Sequence, residues 1–255
     1  MRILVAVKRV PMVGGTIVVT PDGQQVDTRL LGFTVSPHEE CAVEEAVRIV
    51  EQQGGSVTVL TLGSAEAEEQ LRDSVAVGAN EAVLLETDGR EWGPIATAAA
   101  IAEAVRRLEE RDGGFELLLF GNEAADSGDY QVPIRVARLL ERPCITAIKA
   151  IELTDGHLLA RRPERGSEET YELGLPAVVS VKEGINLPRY PSLPGRIRSE
   201  KASVERREPP FSADPLRTER LRLPSGERRQ AEVLGRGADA VAALVAVIEQ
   251  LGVLA

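Results

Sequence analysis

Short apolar runs alternate with segments of helical periodicity over the first 181 residues. Continuous apolar runs occur at 3–7, 57–62, 82–85, 117–120 and 177–181, as in strands that are buried on both faces. Between them, apolar residues recur every three or four positions at 39–52, 65–77, 94–111 and 128–140. The alternation predicts an α/β protein built on a Rossmann-like parallel sheet with helices on both faces.

Capping signals support these boundaries. Ser36-Pro37-His38-Glu39 is a capping box with proline at the first helical position, because Ser36 can accept from the Glu39 N–H while Glu39 reaches back. Gly78 is suited to end the second helix. The sequence therefore predicts where the first helix starts and where the second helix ends.

The pattern changes after the fourth helical segment. Residues 145–173 have strand-like flanks around the turn signal Thr154-Asp155-Gly156-His157, which predicts a small antiparallel addition. Beyond residue 187 the chain is expected to be irregular, with seven of the 15 prolines between 184 and 230, until an apolar helix at 238–251. We therefore expect an α/β domain at 1–183 and a long C-terminal arm at 184–255.

Charge and composition exclude several functions. The net charge is −10, yet residues 184–230 carry 11 lysines and arginines against 6 acidic residues. An acidic body with a basic arm suits a protein partner better than nucleic acid. The two cysteines and two histidines lack metal-ligand spacing. No apolar run approaches the ~20 residues of a membrane span, and the N-terminus does not resemble a signal peptide, so we expect a cytoplasmic or matrix-type protein without membrane insertion.

Candidate chemistry lies where strands are expected to end. In an open parallel sheet, ligands bind beyond the carboxyl ends of the strands, and residues 6–8, 36–39, 62–64 and 121–131 are expected there. In the last segment, glycines allow close approach of a ligand, and Asp126 and Ser127 are good caps. A purely structural strand-turn-helix explains the same residues, so the pattern alone does not decide.

Sequence motifs for catalysis are absent. No G-x-G-x-x-G follows the first strand, and neither G-x-x-x-x-G-K-[ST] nor G-x-S-x-G occurs. Glu39, Glu40, Glu44 and Glu45 are interpreted as solvated charge on a helix. We therefore predict no catalytic residues, and no enzyme activity of the chain on its own.

Six stretches together resemble one known family. They are "ILVAVKRV", "CAVEEAVRI", "TLGSAEAEEQLRDSVAVGANEAVLL", "GNEAADSGDYQ", "LPAVVSVKEGINLPRYPSLP" and the final helix. In this order they resemble the β subunit of electron transfer flavoprotein, over nearly the whole chain. The most specific part is "LPAVVSV" followed by "INLPRYPSLP", because no general requirement of a sheet produces it.

The resemblance implies a function. That β subunit is a Rossmann-like domain which pairs with a homologous α subunit, and the FAD of the heterodimer lies between them. The heterodimer takes electrons from acyl-CoA and other dehydrogenases and passes them to a quinone reductase. The β subunit also buries a second nucleotide, AMP in the common type and a second FAD in the electron-bifurcating type. It carries out no bond chemistry of its own.

The resemblance also implies site residues. The buried nucleotide would lie against Ala6, Ser36, Pro37, His38, Glu39, Leu62, Gly63, Glu123, Ala124, Ala125, Asp126, Ser127, Gly128, Asp129, Tyr130, Gln131, Val132, Pro133 and Ile134. This chain departs from the family at Ser36, Glu123, Gly128 and Pro133, which blurs the choice of ligand; AMP is favoured over FAD. His38 stands where relatives place an aromatic residue near the flavin, although it also suits a plain capping turn.

Residues 184–201 have two interpretations. By composition "GINLPRYPSLPGRIRSEK" is a linker, whereas the resemblance makes it a recognition loop formed by Tyr190, Pro191, Ser192, Leu193 and Pro194. Leu193 matches the apolar anchor that enters a pocket on the partner dehydrogenase. The basic run after it is thinner than the family's, with Arg196, Arg198 and Lys201 interrupted by Glu200.

Two other classes share the predicted topology. A nucleotide-binding regulatory module would end near Val181, but this chain continues for about 70 residues. An adenylating enzyme of the pyrophosphate-cleaving type would carry S-G-G-x-D-S after the first strand, where this chain has Lys8-Arg9-Val10-Pro11. The electron-transfer subunit is therefore the favoured hypothesis.

Overall fold

The computed structural model describes residues 1–12, 17–90, 92–154, 156–211, 215–216, 218–223 and 233–252. Its strands are β1 (Arg2–Ala6), β2 (Val10–Pro11), β3 (Phe33–Thr34), β4 (Ser56–Gly63), β5 (Glu81–Glu86), β6 (Leu117–Gly121), β7 (Cys144–Ile148), β8 (Ala150–Thr154), β9 (His157–Glu164), β10 (Ser167–Gly174), β11 (Ala177–Val181) and β12 (Val204–Arg207). Its α-helices are α1 (Pro37–Gln53), α2 (Glu68–Val77), α3 (Pro94–Asp112), α4 (Gln131–Leu140), α5 (Leu193–Lys201) and α6 (Val241–Gln250).

The central sheet is parallel throughout. Its order is β12-β5-β4-β1-β6-β11-β7 among the described residues. The middle strand β1 aligns Val5 with Val59 on one side and with Leu119 on the other. Side chains of β1 alternate between two apolar clusters: Ile3 and Val5 pack with α1 and α2, and Leu4 packs with α3 and α4. This confirms the predicted α/β class with helices on both faces.

The antiparallel addition is also confirmed. Strands β8, β9 and β10 form a separate antiparallel sheet, in the order β10-β9-β8. Thr154 pairs with His157, so β8 and β9 meet at the predicted hairpin turn, of which Asp155 lies outside the described residues. Part of the predicted segment belongs elsewhere, because β7 joins the edge of the central sheet beside β11.

Two helix starts differ from the prediction. The segment predicted as one helix from residue 65 begins with a 3₁₀ turn, Ala65–Ala67, before α2. The helix predicted from residue 128 begins instead at Gln131. Gly128 has φ +64° and donates its N–H to the Ala124 carbonyl at 2.7 Å, which closes a turn that the helix cannot include.

The expectation that the chain is irregular after residue 187 was wrong for residues 193–207, which form a helix and a strand. Ser192 caps α5 by accepting from the Gly195 N–H at 3.1 Å. After this helix, β12 pairs in parallel with β5, with Val204 opposite Ala82, and so extends the central sheet. The proposed boundary at residue 183 remains a prediction, but the first part of the arm is built into the sheet.

The final apolar helix is present and stands apart from the core. A 3₁₀ turn, Gly237–Ala240, leads into α6, and none of the residues of α6 is buried. In the part of the chain that the structure describes, no helix combines the length and the apolar character that crossing a bilayer requires.

Candidate functional site

The sheet topology brings the predicted site segments to one edge. Strands β1, β4 and β6 are neighbours, and they end at Ala6, Gly63 and Gly121. Helix α1 begins at the same edge at Pro37, and residues 123–130 connect β6 to α4 there. We call this edge the carboxyl edge, since the parallel strands all run towards it. It is where open α/β sheets bind ligands.

The start of α1 is closed by its own side chains. The Glu39 carboxylate accepts from the Ser36 N–H at 3.2 Å and from the Ser36 hydroxyl at 3.0 Å, while Ser36 Oγ accepts from the Glu39 N–H at 3.4 Å. The predicted capping box is therefore confirmed. Burial raises the pKa of Glu39 to about 7, and the hydrogen bonds from Ser36 oppose that shift. The interpretation of Glu39 as a solvated charge was wrong, because it is 8% exposed.

Gly121 is required by this arrangement. A Cβ built on Gly121 would lie 2.6 Å from Glu39 Cγ, 3.2 Å from the Glu39 nitrogen and 3.2 Å from His38 Cβ. Helix α1 can therefore approach the end of β6 this closely only because that position has no side chain.

His38 connects the start of α1 to two other segments. Its Nδ1 accepts from the Glu183 N–H at 3.0 Å, which assigns the proton of the neutral ring to Nε2. Nε2 lies 3.7 Å from Glu123 Oε1, and the other oxygen of Glu123 accepts from the Tyr130 hydroxyl. This hydrogen bond raises the pKa of Tyr130. His38 therefore has a capping-turn position together with polar contacts at the carboxyl edge.

The connection from β6 to α4 is held by backbone bonds and one ion pair. The Ala124 N–H donates to the Asp129 carbonyl at 3.0 Å, and the Asp129 carboxylate accepts from the Gln131 N–H at 2.8 Å. Lys8, just past β1, places Nζ 2.7 Å and 2.8 Å from the two carboxylate oxygens of Asp126. Ala125 and Ser127 are exposed at the outer side of the connection.

The first turn of α4 divides its predicted site residues. Pro133 is buried, and Val132 packs against the apolar cluster between the sheet and helices α3 and α4. Both residues therefore hold α4 against the core. Ile134 points outward and is 51% exposed. The side-chain carbonyl of Gln131 accepts from the guanidinium of Arg135 at 2.7 Å, which leaves the amide nitrogen of Gln131 as a donor.

Acidic and basic groups both lie at this edge. Carboxylates are contributed by Glu39, Glu123, Asp126 and Asp129. Cations are contributed by Lys8 and Arg9 after β1, by Lys182 after β11 and by Arg135 beside Gln131. Lys8 is paired with Asp126. Leu62 and Gly63 lie at the end of β4, where a Cβ on Gly63 would lie 3.1 Å from Ala67 Cβ. Such an edge offers acceptors for hydroxyl and amino groups together with cations for phosphate.

Three polar residues of this edge are not among the site residues that the resemblance implies: Lys8, Asn122 and Ser180. Lys8 and Asn122 lie in segments that were predicted at this edge, whereas Ser180 does not. Asn122 Oδ1 accepts from Ser180 Oγ at 3.1 Å, and the Asn122 N–H donates to the Val181 carbonyl at 2.9 Å, which joins the ends of β6 and β11. Ser180 was not predicted at this edge because it lies within the buried strand β11, where a single serine carries no local signal of a site.

The other predicted surface begins after β11 and runs along α1. We call residues 184–192 the strap. The Asn186 amide donates to the Cys41 carbonyl at 3.0 Å and to Glu45 Oε2 at 2.8 Å, and the guanidinium of Arg189 bonds to Glu44 and Glu51. The interpretation of Glu44 and Glu45 as solvated charge was therefore wrong, since both are buried as partners of the strap. Glu40 is exposed, as expected.

The strap ends in a helix rather than in a loop. Leu193 is the first residue of α5, so the predicted recognition loop, Tyr190 to Pro194, is helical from Leu193 onward. Large apolar side chains of this region are exposed: Leu187 (89%), Tyr190 (96%), Leu193 (72%) and Ile197 (47%). The guanidinium of Arg198 donates to the Val75 carbonyl at 2.8 Å, so Arg196 and Lys201 are the more outward of the three predicted cations.

Two clefts lie away from the carboxyl edge. A cleft of about 510 Å³ lies between α1, α2 and the strap, and is lined by Val47, Val50, Glu51, Val57, Ala76, Val77, Gly78, Asn80, Arg189, Tyr190, Ser192 and Arg198. A second cleft, of about 670 Å³, lies beside the start of β12. Both lie at the opposite, amino edge of the sheet.

Metal ligands do not cluster within the described parts of the chain. No group of three or more His, Cys, Asp or Glu side chains there could hold a metal ion.

Topology and the carboxyl edge together define the class: a Rossmann-like α/β protein with a candidate ligand site at the strand ends. The model of the electron transfer flavoprotein domain matches residues 25–212. The chain therefore belongs to the electron transfer flavoprotein family, which supports a flavin-linked role in electron transfer.

Relatives with curated names agree with this membership. Electron transfer flavoprotein subunit beta of Bacillus subtilis (strain 168) is 37% identical over 173 residues, which cover 68% of this chain and 66% of that protein. The protein of the same name from Mycobacterium leprae (strain TN) is 36% identical over 209 residues, covering 80% and 77%. That of Homo sapiens is 31% identical over 256 residues, covering 99% and 98%.

Proposed function

We propose that this chain is the β-type subunit of an electron-transferring heterodimer. A homologous α subunit pairs with it, and an FAD lies between the two. The heterodimer accepts electrons from acyl-CoA and other dehydrogenases and passes them to a quinone reductase or a similar acceptor. The observation that carries this proposal is the similarity to the human subunit beta, which extends over 99% of this chain.

The nucleotide of this subunit is proposed to lie at the carboxyl edge, against the site residues given under Sequence analysis, of which Ala6 is the first and Ile134 the last. The donor and acceptor set suits a nucleotide. Glu123, Asp126 and Asp129 are acceptors for ribose hydroxyl or base amino groups, and the Gln131 amide nitrogen is a donor. Lys8 is a cation that a phosphate could share with Asp126. In line with the family resemblance, we favour AMP over a second FAD.

The shared FAD needs a second subunit for its enclosure. One open sheet edge cannot surround a flavin, whereas a cleft between two subunits can exclude water. When bound, the FAD supplies the uptake and release of electrons. This chain contributes part of its enclosure and, on this proposal, makes and breaks no bonds itself.

The C-terminal helix is the proposed contact with the α subunit. Five apolar side chains of α6 and the residue after it are exposed: Val241, Leu244, Val245, Val247 and Leu251. An apolar helix without a buried residue gains stability when a partner covers it. The strap and α5 are proposed to dock the dehydrogenase, with Leu193 as the anchor.

Co-expression with a homologous α chain tests the proposal. We expect a yellow heterodimer that an acyl-CoA dehydrogenase reduces in the presence of its substrate. A colourless chain that stays monomeric in the presence of the α chain would overturn it.

The ligand is tested separately on the same heterodimer. Acid extraction and chromatography should yield one FAD and one AMP for each heterodimer. Two FAD molecules would identify the bifurcating type, and a single FAD without AMP would contradict the proposed site at the carboxyl edge.

A further inference from the structure

We infer that Arg189 is a positioning residue that fixes the strap on α1 and thereby presents Leu193 and Ile197 to the partner dehydrogenase. The inference rests on the proposed docking function. It adds a residue that is not part of the apolar anchor and that acts through the geometry of α5.

Arg189 makes an extended set of contacts with α1. Its Nε donates to Glu44 Oε2 at 2.8 Å and one terminal nitrogen donates to Glu44 Oε1 at 3.0 Å, a bidentate pair. The two terminal nitrogens also reach Glu51 at 2.6 Å and 2.9 Å. The Arg189 backbone N–H adds a bond to Glu44 Oε2 at 3.2 Å. The planar guanidinium thus joins two carboxylates that lie on successive parts of one helix face.

The burial of Glu44 makes this contact different from a surface ion pair. The side chain of Glu44 is 5% exposed, whereas that of Glu51 is 55% exposed. A buried carboxylate that loses its cation is left without its main compensation for lost hydration. The inner pair with Glu44 should therefore hold the strap more strongly than the outer pair with Glu51.

Packing under the strap cannot replace this clamp. The cleft of about 510 Å³ lies next to Arg189 and Tyr190, and its floor is formed by side chains of α1, β4 and α2. Tyr190 leaves that cleft open and is 96% exposed. At this point polar bonds to α1, rather than apolar contacts, determine where the chain runs.

The segment between Arg189 and Leu193 is short and has a restricted backbone, so fixing Arg189 also fixes the position of Leu193. Only Tyr190, Pro191 and Ser192 separate the two, and Pro191 and Pro194 restrict the backbone. At the other end, Gly195 rests on the end of α2: a Cβ there would lie 2.2 Å from the Ala76 carbonyl oxygen. A helix held at both points presents Leu193 and Ile197 on one face, four residues apart.

Presentation of a fixed helix should reduce the entropy lost on docking. A mobile anchor residue loses conformational entropy when the partner binds. This loss weakens binding but leaves the rate of electron transfer within the complex unchanged. Loss of the clamp should therefore raise the KM for the dehydrogenase and leave kcat nearly unaltered.

The test uses the purified heterodimer with an acyl-CoA dehydrogenase as the electron donor. The variants are Arg189→Met, which removes the guanidinium group, and Arg189→Lys, which keeps the positive charge but loses the bidentate geometry. Glu51→Gln removes the outer pair only. Arg107→Met is the matched control, because Arg107 makes an ion pair with Glu103 on α3, away from the strap. Leu193→Ala tests the docking function itself.

Two readouts are measured on each variant: KM and kcat for electron uptake, and amide hydrogen exchange over residues 186–198. We expect Arg189→Met to raise KM about tenfold and to speed exchange in the strap, with kcat within about twofold. Arg189→Lys should lie between wild type and Arg189→Met, Glu51→Gln should show a smaller effect, and Arg107→Met should show none. If Arg189→Met does not fold, Arg189→Lys carries the test.

Two results would overturn the clamp. One is faster exchange with unaltered KM in Arg189 variants, while Leu193→Ala still raises KM; docking would then stand without a positioning role. The other is unaltered exchange in the strap. If Leu193→Ala also leaves KM unchanged, the proposed docking surface itself fails, which separates the two hypotheses.

Discussion

The carboxyl edge and the strap are two surfaces built in different ways. At the carboxyl edge, residues from separate segments meet because parallel strands end together, as Lys8 meets Asp126 and His38 meets Glu123. The strap instead follows the outside of one helix, where Arg189 meets Glu44 from 145 positions away in the chain. The first surface follows from sheet topology, and the second from specific side-chain pairs.

The difference teaches what a charge on a helix can mean. Glu40 is exposed, whereas Glu39 closes the carboxyl edge and Glu44 anchors the strap. Identical residue types within one and a half helical turns thus have three roles. A change at the carboxyl edge should affect folding and nucleotide, and a change at the strap should affect docking, so the two surfaces should separate experimentally.

The largest expected effect is that of Glu39→Gln on the pH dependence of stability. Burial raises the pKa of Glu39 from 4.5 to about 7, so the folded chain binds more protons than the unfolded chain between these values. The contribution of Glu39 to the free energy of unfolding therefore falls as the pH rises across this window and is constant above it. The difference amounts to about 3 kcal/mol.

Denaturant unfolding from about pH 5 to about pH 8 checks this. Relative to wild type, the free energy of unfolding of Glu39→Gln should rise by about 2.5 kcal/mol over this pH range, because glutamine cannot ionise and still suits the third helical position. If the free energies of unfolding of the two proteins changed in parallel with pH, the pKa of Glu39 would not be raised in the folded protein.

Gly121→Ala should break the carboxyl edge while sparing the strap. Its methyl group would meet Glu39 Cγ at 2.6 Å, and relief of that contact should cost about 2 kcal/mol of stability. We also expect loss of bound nucleotide from the purified heterodimer. Gly114→Ala is the matched control, since a Cβ there meets nothing within 4 Å. Equal thermal midpoints for the two variants would refute the tight contact.

Leu193→Ala should break docking while sparing the carboxyl edge. Loss of an exposed anchor should slow electron uptake from a dehydrogenase about tenfold at low donor concentration, which corresponds to about 1.4 kcal/mol. Nucleotide content and unfolding should stay as in wild type. Leu30→Ala is the control, because Leu30 is 98% exposed but lies outside the strap and α5. Loss of nucleotide, or equal rates, would argue against the assignment.

The smallest effect concerns the place where the arm leaves the sheet. Phe211 meets Trp92 edge to face, with ring centroids 5.3 Å apart, and the Arg90 guanidinium lies 4.4 Å from the Phe211 centroid. Phe211→Ala should expose Trp92, the single tryptophan of the chain, and shift its emission to longer wavelength, with a loss of about 1 kcal/mol. An unshifted spectrum would exclude this contact in solution.

Much of the fold could be predicted because it depends on local patterns. The apolar runs of β1, β4, β5, β6 and β11 and the Ser36 capping box contain their own evidence. The strand β12 could not be found in the same way. Its sequence, VERR, has one apolar residue, and it becomes a strand because β5 offers a free edge beside it.

The candidate site, like the fold, was predicted only in part. The resemblance selected residues along the carboxyl edge, and the structure brings most of them to one place. The residues that it implied do not include Lys8 or Asn122, although both lie in segments predicted at this edge, nor Ser180, which contacts Asn122 from 58 positions further along the chain. It also treated Leu193 as part of a loop, although Ser192 caps a helix that begins there.

The sequence by itself determined the class of fold, the order of the central elements and the family, because apolar periodicity, caps and ordered motifs are properties of neighbouring residues. Only the tertiary structure decided which glutamates are buried, where the strap is fixed and which apolar side chains remain exposed. The physical reason is that burial and pairing depend on what another segment places nearby, and the partners of Glu44 and Glu45 lie on a strap more than 100 residues further along the chain.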